Sequence, residues 1–310
     1  MAPQKPSESL VVRGRFAPSP TGPLHFGSLV AALGSCLQAR SQGGLWTLRV
    51  EDLDTARCRP EYAIDMLATL ERLGFAWDGE LLWQSRRGPS YAAALGRLAE
   101  LGAVFPCACS RRELADSQLA PDGAAVYPGT CRAGLAEGRS VRASRLRAPD
   151  ERLAFIDAVQ GQVSQDLAGE VGDFVLARAD GSYAYQLAVV VDDAESGITE
   201  IVRGADLLAS TPRQILLQRL LGYATPRYAH LPVAVDADGE KLSKQTLACP
   251  VDATHPLPAL LAALRFLGQG PPRFLCDASR DELWRWAIAN WRLDRVPKRR
   301  QLPAPDGRQS

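Results

Sequence analysis

One stretch near the start constrains the fold more than any other. Leu10-Val11-Val12-Arg13-Gly14-Arg15-Phe16 reads as a β-strand, and Ala17-Pro18-Ser19-Pro20-Thr21-Gly22-Pro23-Leu24-His25-Phe26-Gly27 reads as a turn-rich connection. A helix opens at Ser28, with Leu29, Leu33, Cys36 and Leu37 on one face at helical spacing. Leu45 to Val50 is apolar and β-favouring, a second strand. Two strands around a helix make a βαβ unit, and that unit calls for a parallel sheet.

The 310 residues suffice for about two domains and a full core without disulfide support. With 46% hydrophobic and 23% charged residues, disorder, collagen and disulfide scaffolds are excluded for the bulk of the chain. The net charge of +1 decides nothing about nucleic acid, because a basic face can sit inside a neutral total. No run reaches the ~18 uncharged apolar residues of a membrane span, and residues 1–9 lack the apolar run of a signal peptide. With an odd number of cysteines, seven, the expectation is a reduced, cytoplasmic protein away from membranes.

Further helices are predicted at 61–73, 88–102 and 211–221. Strands are predicted at Tyr183–Val191, Ile198–Val202 and His230–Val235, the last followed by a turn at 236–239. Residues 106–150 change character, with clustered cysteines, many arginines and frequent Gly and Pro, and read as an insertion. From about 256 the chain is Leu- and Trp-rich and reads as helical, ending in the basic run 295–300.

Two segments carry chemistry. Pro18 to Ser28 joins a strand's carboxyl end to a helix start, where open parallel sheets bind ligands. A helix N-terminus suits phosphate, Gly22 and Gly27 permit close backbone approach, and His25 can donate to a phosphate oxygen. The same residues also fit a plain βα turn with a satisfied histidine, and the familiar dinucleotide and P-loop glycine patterns are absent. Lys241-Leu242-Ser243-Lys244-Gln245 lies in a loop after a strand and turn, where a lysine can neutralise a departing polyphosphate or merely be solvated. The chain has only four lysines, Lys5, Lys241, Lys244 and Lys298, so two within four positions favour the first reading.

Together the segments resemble a known family. Arg15-Phe16-Ala17-Pro18-Ser19-Pro20-Thr21-Gly22 running into His25-Phe26-Gly27-Ser28 resembles the first signature of class I aminoacyl-tRNA synthetases in their glutamyl form, and Lys241 to Gln245 resembles the second. Arg49-Val50-Glu51-Asp52-Leu53-Asp54, Val191-Asp192-Asp193 and Ile201-Val202-Arg203-Gly204-Ala205-Asp206 lie between them in family order, so the resemblance spans about residues 10–250. Departures are Ser28 for the second histidine of the first signature, Gln245 for the closing serine of the second, and Ala205 and Leu207 in the usual Arg-Gly-Glu-Asp-His stretch. About 65 residues follow Gln245, fewer than the ~100 of a typical anticodon-reading domain. The pattern is closest to the short paralogous family, the glutamyl-queuosine tRNA(Asp) synthetases, which place glutamate on the queuosine of the tRNA(Asp) anticodon.

The resemblance implies an α/β fold: a Rossmann-like parallel sheet with an inserted, zinc-containing α+β subdomain and a short helical C-terminal appendix. The implied division is a flexible arm at 1–9, a catalytic domain at 10–105 and 180–255, the insertion at 106–179, and the appendix at 256–310, without an anticodon-binding domain. The implied reaction is ATP- and Mg²⁺-dependent, tRNA-independent activation of L-glutamate, then transfer to queuosine in the tRNA(Asp) anticodon stem-loop. Glutamate is implied to lie among Arg15, Phe16, Ala17, Pro18, Ser19, Glu51, Tyr185 and Arg203. ATP is implied to meet Gly22, His25, Gly27, Lys241, Ser243 and Lys244, with His25 and Lys244 holding phosphate oxygens as pyrophosphate leaves. The competing readings are a truncated glutamyl-tRNA synthetase charging the 3′ end of tRNA(Glu) and a non-catalytic RNA-binding paralogue.

Cys107, Cys109 and Cys131 supply three of the four ligands that a structural zinc needs, and no histidine lies near them in sequence. By residues alone they are either an incomplete metal site or three ordinary thiols. The resemblance implies Tyr127 as the fourth ligand of one structural Zn²⁺.

Overall fold

A computed structural model describes residues 11–115, 117–120, 123, 125–236, 238–242 and 249–305. The βαβ unit is present: β1 (Arg13–Phe16), α1 (Phe26–Arg40) and β2 (Leu45–Val50), with β1 and β2 parallel from Arg13 opposite Leu45 to Phe16 opposite Leu48. Helix α1 starts at Phe26, ahead of Ser28, because His25 caps it through Nδ1, which accepts from the Ser28 N–H. Helix α2 (Pro60–Arg72) leads to β3 (Leu82–Trp83), parallel to β2, and α3 (Gly88–Glu100) follows.

The middle of the chain feeds two sheets. Its strands are β4 (Val104–Cys107), β5 (Ala143–Leu146), β6 (Arg152–Asp157), β7 (Gly161–Asp166) and β8 (Phe174–Arg178). β4, β5 and β8 form a separate antiparallel sheet, whereas β6, with β7 as its hairpin partner, joins the main sheet. After α4 (Tyr185–Glu195) come β9 (Glu200–Gly204), α5 (Thr211–Leu221) and β10 (Arg227–Leu231), and β10 lies parallel between β9 and β6. The two parallel groups meet where the Thr199 N–H donates to the Arg13 carbonyl at 3.0 Å and the Arg13 N–H to Thr199 Oγ1 at 2.9 Å. The parallel strands thus run in the order β3, β2, β1, β9, β10, β6.

Side chains alternate across this sheet, and each face is covered by helices. Val202 and Ala229 join the core built from α1, α2 and the C-terminal helices, while Ile201 and Tyr228 join the core built from α3, α4 and α5. Gly34 lets α1 lie close to the sheet, since a Cβ there would stand 2.5 Å from Leu231 Cδ1.

Three expectations need correction. Tyr183–Val191 is not a strand; from Tyr185 it is α4. Leu187 to Val191 are all buried, and a short apolar run buried on every side has no period to separate strand from helix. The strand over 230–235 is two strands, β10 and β11 (Val233–Val235), divided at Pro232, which has no N–H to give a ladder. The tail is not helical throughout: α6 (Pro256–Phe266) and α7 (Arg280–Asn290) pack on α1 and α2, with Phe26 edge-on to Phe266, but β12 (Gln301–Pro303) then pairs in parallel with β11. No helix among the described residues is long and apolar enough to cross a membrane.

Candidate active site

The carboxyl ends of β1, β2, β9 and β10 open onto a cavity of about 900 Å³. Arg15, Phe16, Ala17, Pro18 and Ser19 line it from the end of β1 and the following turn. Glu51 after β2, Tyr185 at the start of α4 and Arg203 on β9 complete the glutamate set on its wall. The turn is pinned by backbone: the Glu51 N–H donates to the Pro18 carbonyl and the Arg59 N–H to that of Pro20, both at 2.9 Å. His25, Gly27 and Lys241 line the same cavity, whereas Gly22 is buried in the turn and does not. Ser243, Lys244 and Gln245 lie outside the described residues.

Gly27 is where the two signature segments touch. A Cβ there would meet the His25 ring at 3.3 Å and the Leu242 carbonyl at 3.6 Å, so the second segment packs against the start of α1. Ser28 holds the His25 ring as well, with its Oγ 3.1 Å from Nε2. Lys241 is paired with Asp206 across the cavity mouth.

Beneath the cavity lies an ionic network that the strand assignment for 183–191 hid. In α4, Tyr185 and the pair Asp192 and Asp193 are seven and eight residues apart and share a face. Asp193 accepts from Arg15 (Nε, 3.0 Å; Nη2, 3.3 Å) and from Arg49 Nη1 at 2.6 Å. Arg49 also donates to Glu51 at 3.0 Å. Asp192, fully buried, accepts from Gln84, Arg87 and Tyr91. Burial pushes the Asp193 carboxyl up, but Arg15 and Arg49 outweigh it and hold it below the ordinary value. For Glu51 burial wins over Arg49, and its pKa is raised.

Arg15 is therefore already matched by a protein carboxylate. Arg203 is not. It is 5% exposed, and its described partners are neutral: His230 Nε2 at 3.0 Å and Thr211 Oγ1 at 2.8 Å. Its Nη1 is buried and finds no acceptor among the described residues. A buried cation without an anion is costly, so this cavity is built to receive a negative group beside Arg203.

The cysteine cluster forms a second centre in the antiparallel sheet. The three Sγ atoms lie within 4.8 Å of one another, with Cys109 and Cys131 3.7 Å apart. The Tyr127 hydroxyl sits 3.5 Å from both Cys107 and Cys109 and accepts the Cys131 N–H at 2.8 Å. A tetrahedral ion with bonds of ~2.3 Å to sulfur and ~2.0 Å to oxygen sets sulfurs ~3.8 Å apart and sulfur and oxygen ~3.5 Å apart, so the four donors fit such an ion. Arg145, buried over the Tyr127 ring, donates from Nε to Cys107 Sγ at 3.3 Å. Burial raises the Cys131 thiol, but hydrogen bonds from Tyr127 and the Ala108 N–H pull it down to about 7.

Residues 11–256 match the family described as tRNA synthetases class I (E and Q), catalytic domain, and the chain belongs to that class. It is 63% identical over 292 residues to the Glutamyl-Q tRNA(Asp) synthetase of Aromatoleum aromaticum, covering 94% of this chain and 92% of the relative. It is 58% identical to the protein of the same name from Dechloromonas aromatica, covering 94% and 98%. Within the class, the chain belongs to the glutamyl-Q tRNA(Asp) synthetase family. A solved glutamate-tRNA synthetase from Elizabethkingia anophelis superposes with a TM-score of 0.80 at 25% identity, covering 96% of this chain and 68% of that one. A glutamate tRNA ligase from Elizabethkingia meningosepticum, solved with its amino acid, gives 0.78 at 26% identity, covering 95% and 67%.

Proposed function

We propose that the chain activates L-glutamate with ATP and transfers it to the queuosine of tRNA(Asp). The observation that carries this reading is Arg203, a buried cation without a counter-ion among the described residues, on the wall of a cavity at the carboxyl end of a parallel sheet. One carboxylate of glutamate supplies the missing anion, and a guanidinium suits it because its planar fork can bind both oxygens. Arg15, steadied by Asp193, faces the other end of the amino acid. Glu51 takes the ammonium, and Ser19, Tyr185 and the backbone of Phe16, Ala17 and Pro18 complete the enclosure.

The α-carboxylate attacks the α-phosphorus of ATP in line, giving glutamyl-adenylate and pyrophosphate. No protein nucleophile is required, since positioning and charge stabilisation supply the rate. Gly27 and the start of α1 receive the nucleotide, which brings its own Mg²⁺, while Gly22 stays behind them in the turn. His25, Lys241, Ser243 and Lys244 meet the phosphates, and Lys244→Ala costs ~10²–10³ in rate. Cys107, Cys109, Tyr127 and Cys131 hold one structural Zn²⁺, which ties the loop between β4 and β5 together. The antiparallel sheet of β4, β5 and β8 within the insertion at 106–179 and the tail at 256–310 then cradle the anticodon stem, while 10–105 and 180–255, with β6 of the insertion in their sheet, do the chemistry. ATP and tRNA place the reaction in the cytoplasm.

The test is to react labelled glutamate, ATP and mixed tRNA and locate the labelled nucleotide. Label on the wobble queuosine of tRNA(Asp), retained after removal of the terminal CCA, is the expected result. Label on a 3′-terminal adenosine assigns the chain to 3′ charging instead.

A further inference from the structure

Arg203 owes its orientation to two residues outside the signature segments. Three adjacent parallel strands deliver Arg203, His230 and Asp157 near their carboxyl ends: Arg203 on β9 stands directly opposite His230 on β10, and Asp157 closes β6 beside β10. All three are buried, His230 completely. His230 Nδ1 lies 2.6 Å from Asp157 Oδ2, and its Nε2 faces the Arg203 Nε–H at 3.0 Å. Arg203 always carries its donor protons, so Nε2 must offer a lone pair, and the imidazole proton sits on Nδ1, donating to Asp157. Asp157 is fixed in turn, because its Oδ1 accepts three backbone N–H groups, from Val159 at 3.0 Å, Gln160 at 2.9 Å and His230 itself at 3.0 Å.

We infer that Asp157 and His230 are positioning residues that lock the imidazole in its Nδ1–H tautomer and so hold the Arg203 guanidinium in the plane that receives the carboxylate of the amino acid. This rests on the proposed role of Arg203 and deepens it. Burial and the nearby Arg203 lower the His230 pKa to about 4, although Asp157 opposes the shift, so the ring is neutral in the working range. Thr211 Oγ1, 3.2 Å from Nε2 and 2.8 Å from Arg203 Nη2, braces the same plane.

Asp157→Asn tests the device with little change of shape. Oδ1 is committed to three backbone donors, so the new amide N–H₂ must occupy the Oδ2 position. There it donates to Nδ1, drives the proton to Nε2, and sets an N–H against the Arg203 N–H. The measurement is glutamate-driven ATP–pyrophosphate exchange, with KM determined separately for glutamate and ATP. The KM for glutamate should rise about 10- to 100-fold, as when a binding group is misplaced by an ångström, with the KM for ATP and the melting temperature little changed. Adding His230→Gln to Asp157→Asn gives an amide oxygen to Arg203 whichever way the neighbour points, and should recover much of the glutamate KM. Unchanged glutamate KM in Asp157→Asn, equal rises for glutamate and ATP, or no recovery in the double variant would each overturn the proposal. Arg203→Lys is the reference: if it leaves the glutamate KM unchanged, the role of Arg203 fails and the positioning role falls with it. A rise in Arg203→Lys without one in Asp157→Asn overturns the positioning role alone.

Discussion

Replacing Asp193 by Asn removes one negative charge from between two guanidinium groups and changes almost nothing else. Arg15, Arg49 and Asp193 are 4%, 4% and 6% exposed in their side chains, so water screens little of the interaction. Arg49 keeps Glu51, but Arg15 has no other carboxylate among the described residues. The amide also turns a donor toward one of the guanidinium donors. Breaking a buried pair in this way costs about 3–5 kcal/mol. At ~2–4 °C per kcal/mol, the slope for domains of 150–250 residues, the melting temperature should drop by about 10 °C. Differential scanning fluorimetry of Asp193→Asn beside Asp294→Asn checks this, the second being an exposed pair with Arg292 that should shift the midpoint negligibly. The pH dependence has a definite sign. The Asp193 pKa is held below its unfolded value near ~3.9, so its stabilisation is complete above that pH and is lost as pH falls through the folded value. The gap between wild type and variant should be constant from pH 6 to 8 and close only in acid. A drop under ~2 °C at neutral pH, against the ~10 °C expected from the slope, would refute the view that this carboxylate anchors Arg15.

With the side-chain carboxylate of glutamate set on Arg203, glutamine is predicted to be a poor substrate: its neutral amide leaves Arg203 without an anion and should lower exchange kcat/KM by ~10²–10³, whereas comparable rates would remove Arg203 from recognition of that end. Glu51 must be ionised to hold an ammonium and its pKa is raised, so the glutamate KM should climb on acidification from above the ordinary ~4.3, an effect that Glu51→Gln should abolish. Protein purified without chelator should carry about one equivalent of zinc, in keeping with a four-donor site, and Tyr127→Phe should lose it faster to a competing chelator; zinc-free folded protein would count against the site. Exchange should proceed without tRNA, because the groups assigned to glutamate and ATP all belong to one catalytic fold, and strict dependence on tRNA would contradict that.

The parts legible in the sequence were those with a clear period or punctuation. The spacing of Leu29, Leu33, Cys36 and Leu37 marked α1, and Leu45–Val50 was bounded as a strand to the residue. The run through Leu187–Val191 was illegible because it is buried all round, and misreading it separated Tyr185 from Asp192 and Asp193. A helical period from Tyr185 would have put both aspartates on the face of the helix that carries Tyr185. The arginines were visible, but not which of them a protein carboxylate already matched. That depends on α4 reaching a sheet face from more than 140 residues away in sequence. His230 and Asp157 gave no signal, since a lone histidine and a strand-end aspartate are ordinary until three strands align them. β12 was missed because three residues ending in proline carry no strand pattern.

The pairing of β12 with β11 has a consequence for how the molecule is made. Val233 stands opposite Gln301, so one edge of β11 waits for a partner synthesised about 70 residues later. At ~5–20 residues per second on the ribosome, that is a delay of several seconds. Through this interval the strand leading into the cavity has an open edge, able to pair with any other nascent chain of the same kind. The last strand among the described residues is thus the one that covers this edge of β11, and anything that slows its arrival lengthens the time during which young chains are exposed to mispairing.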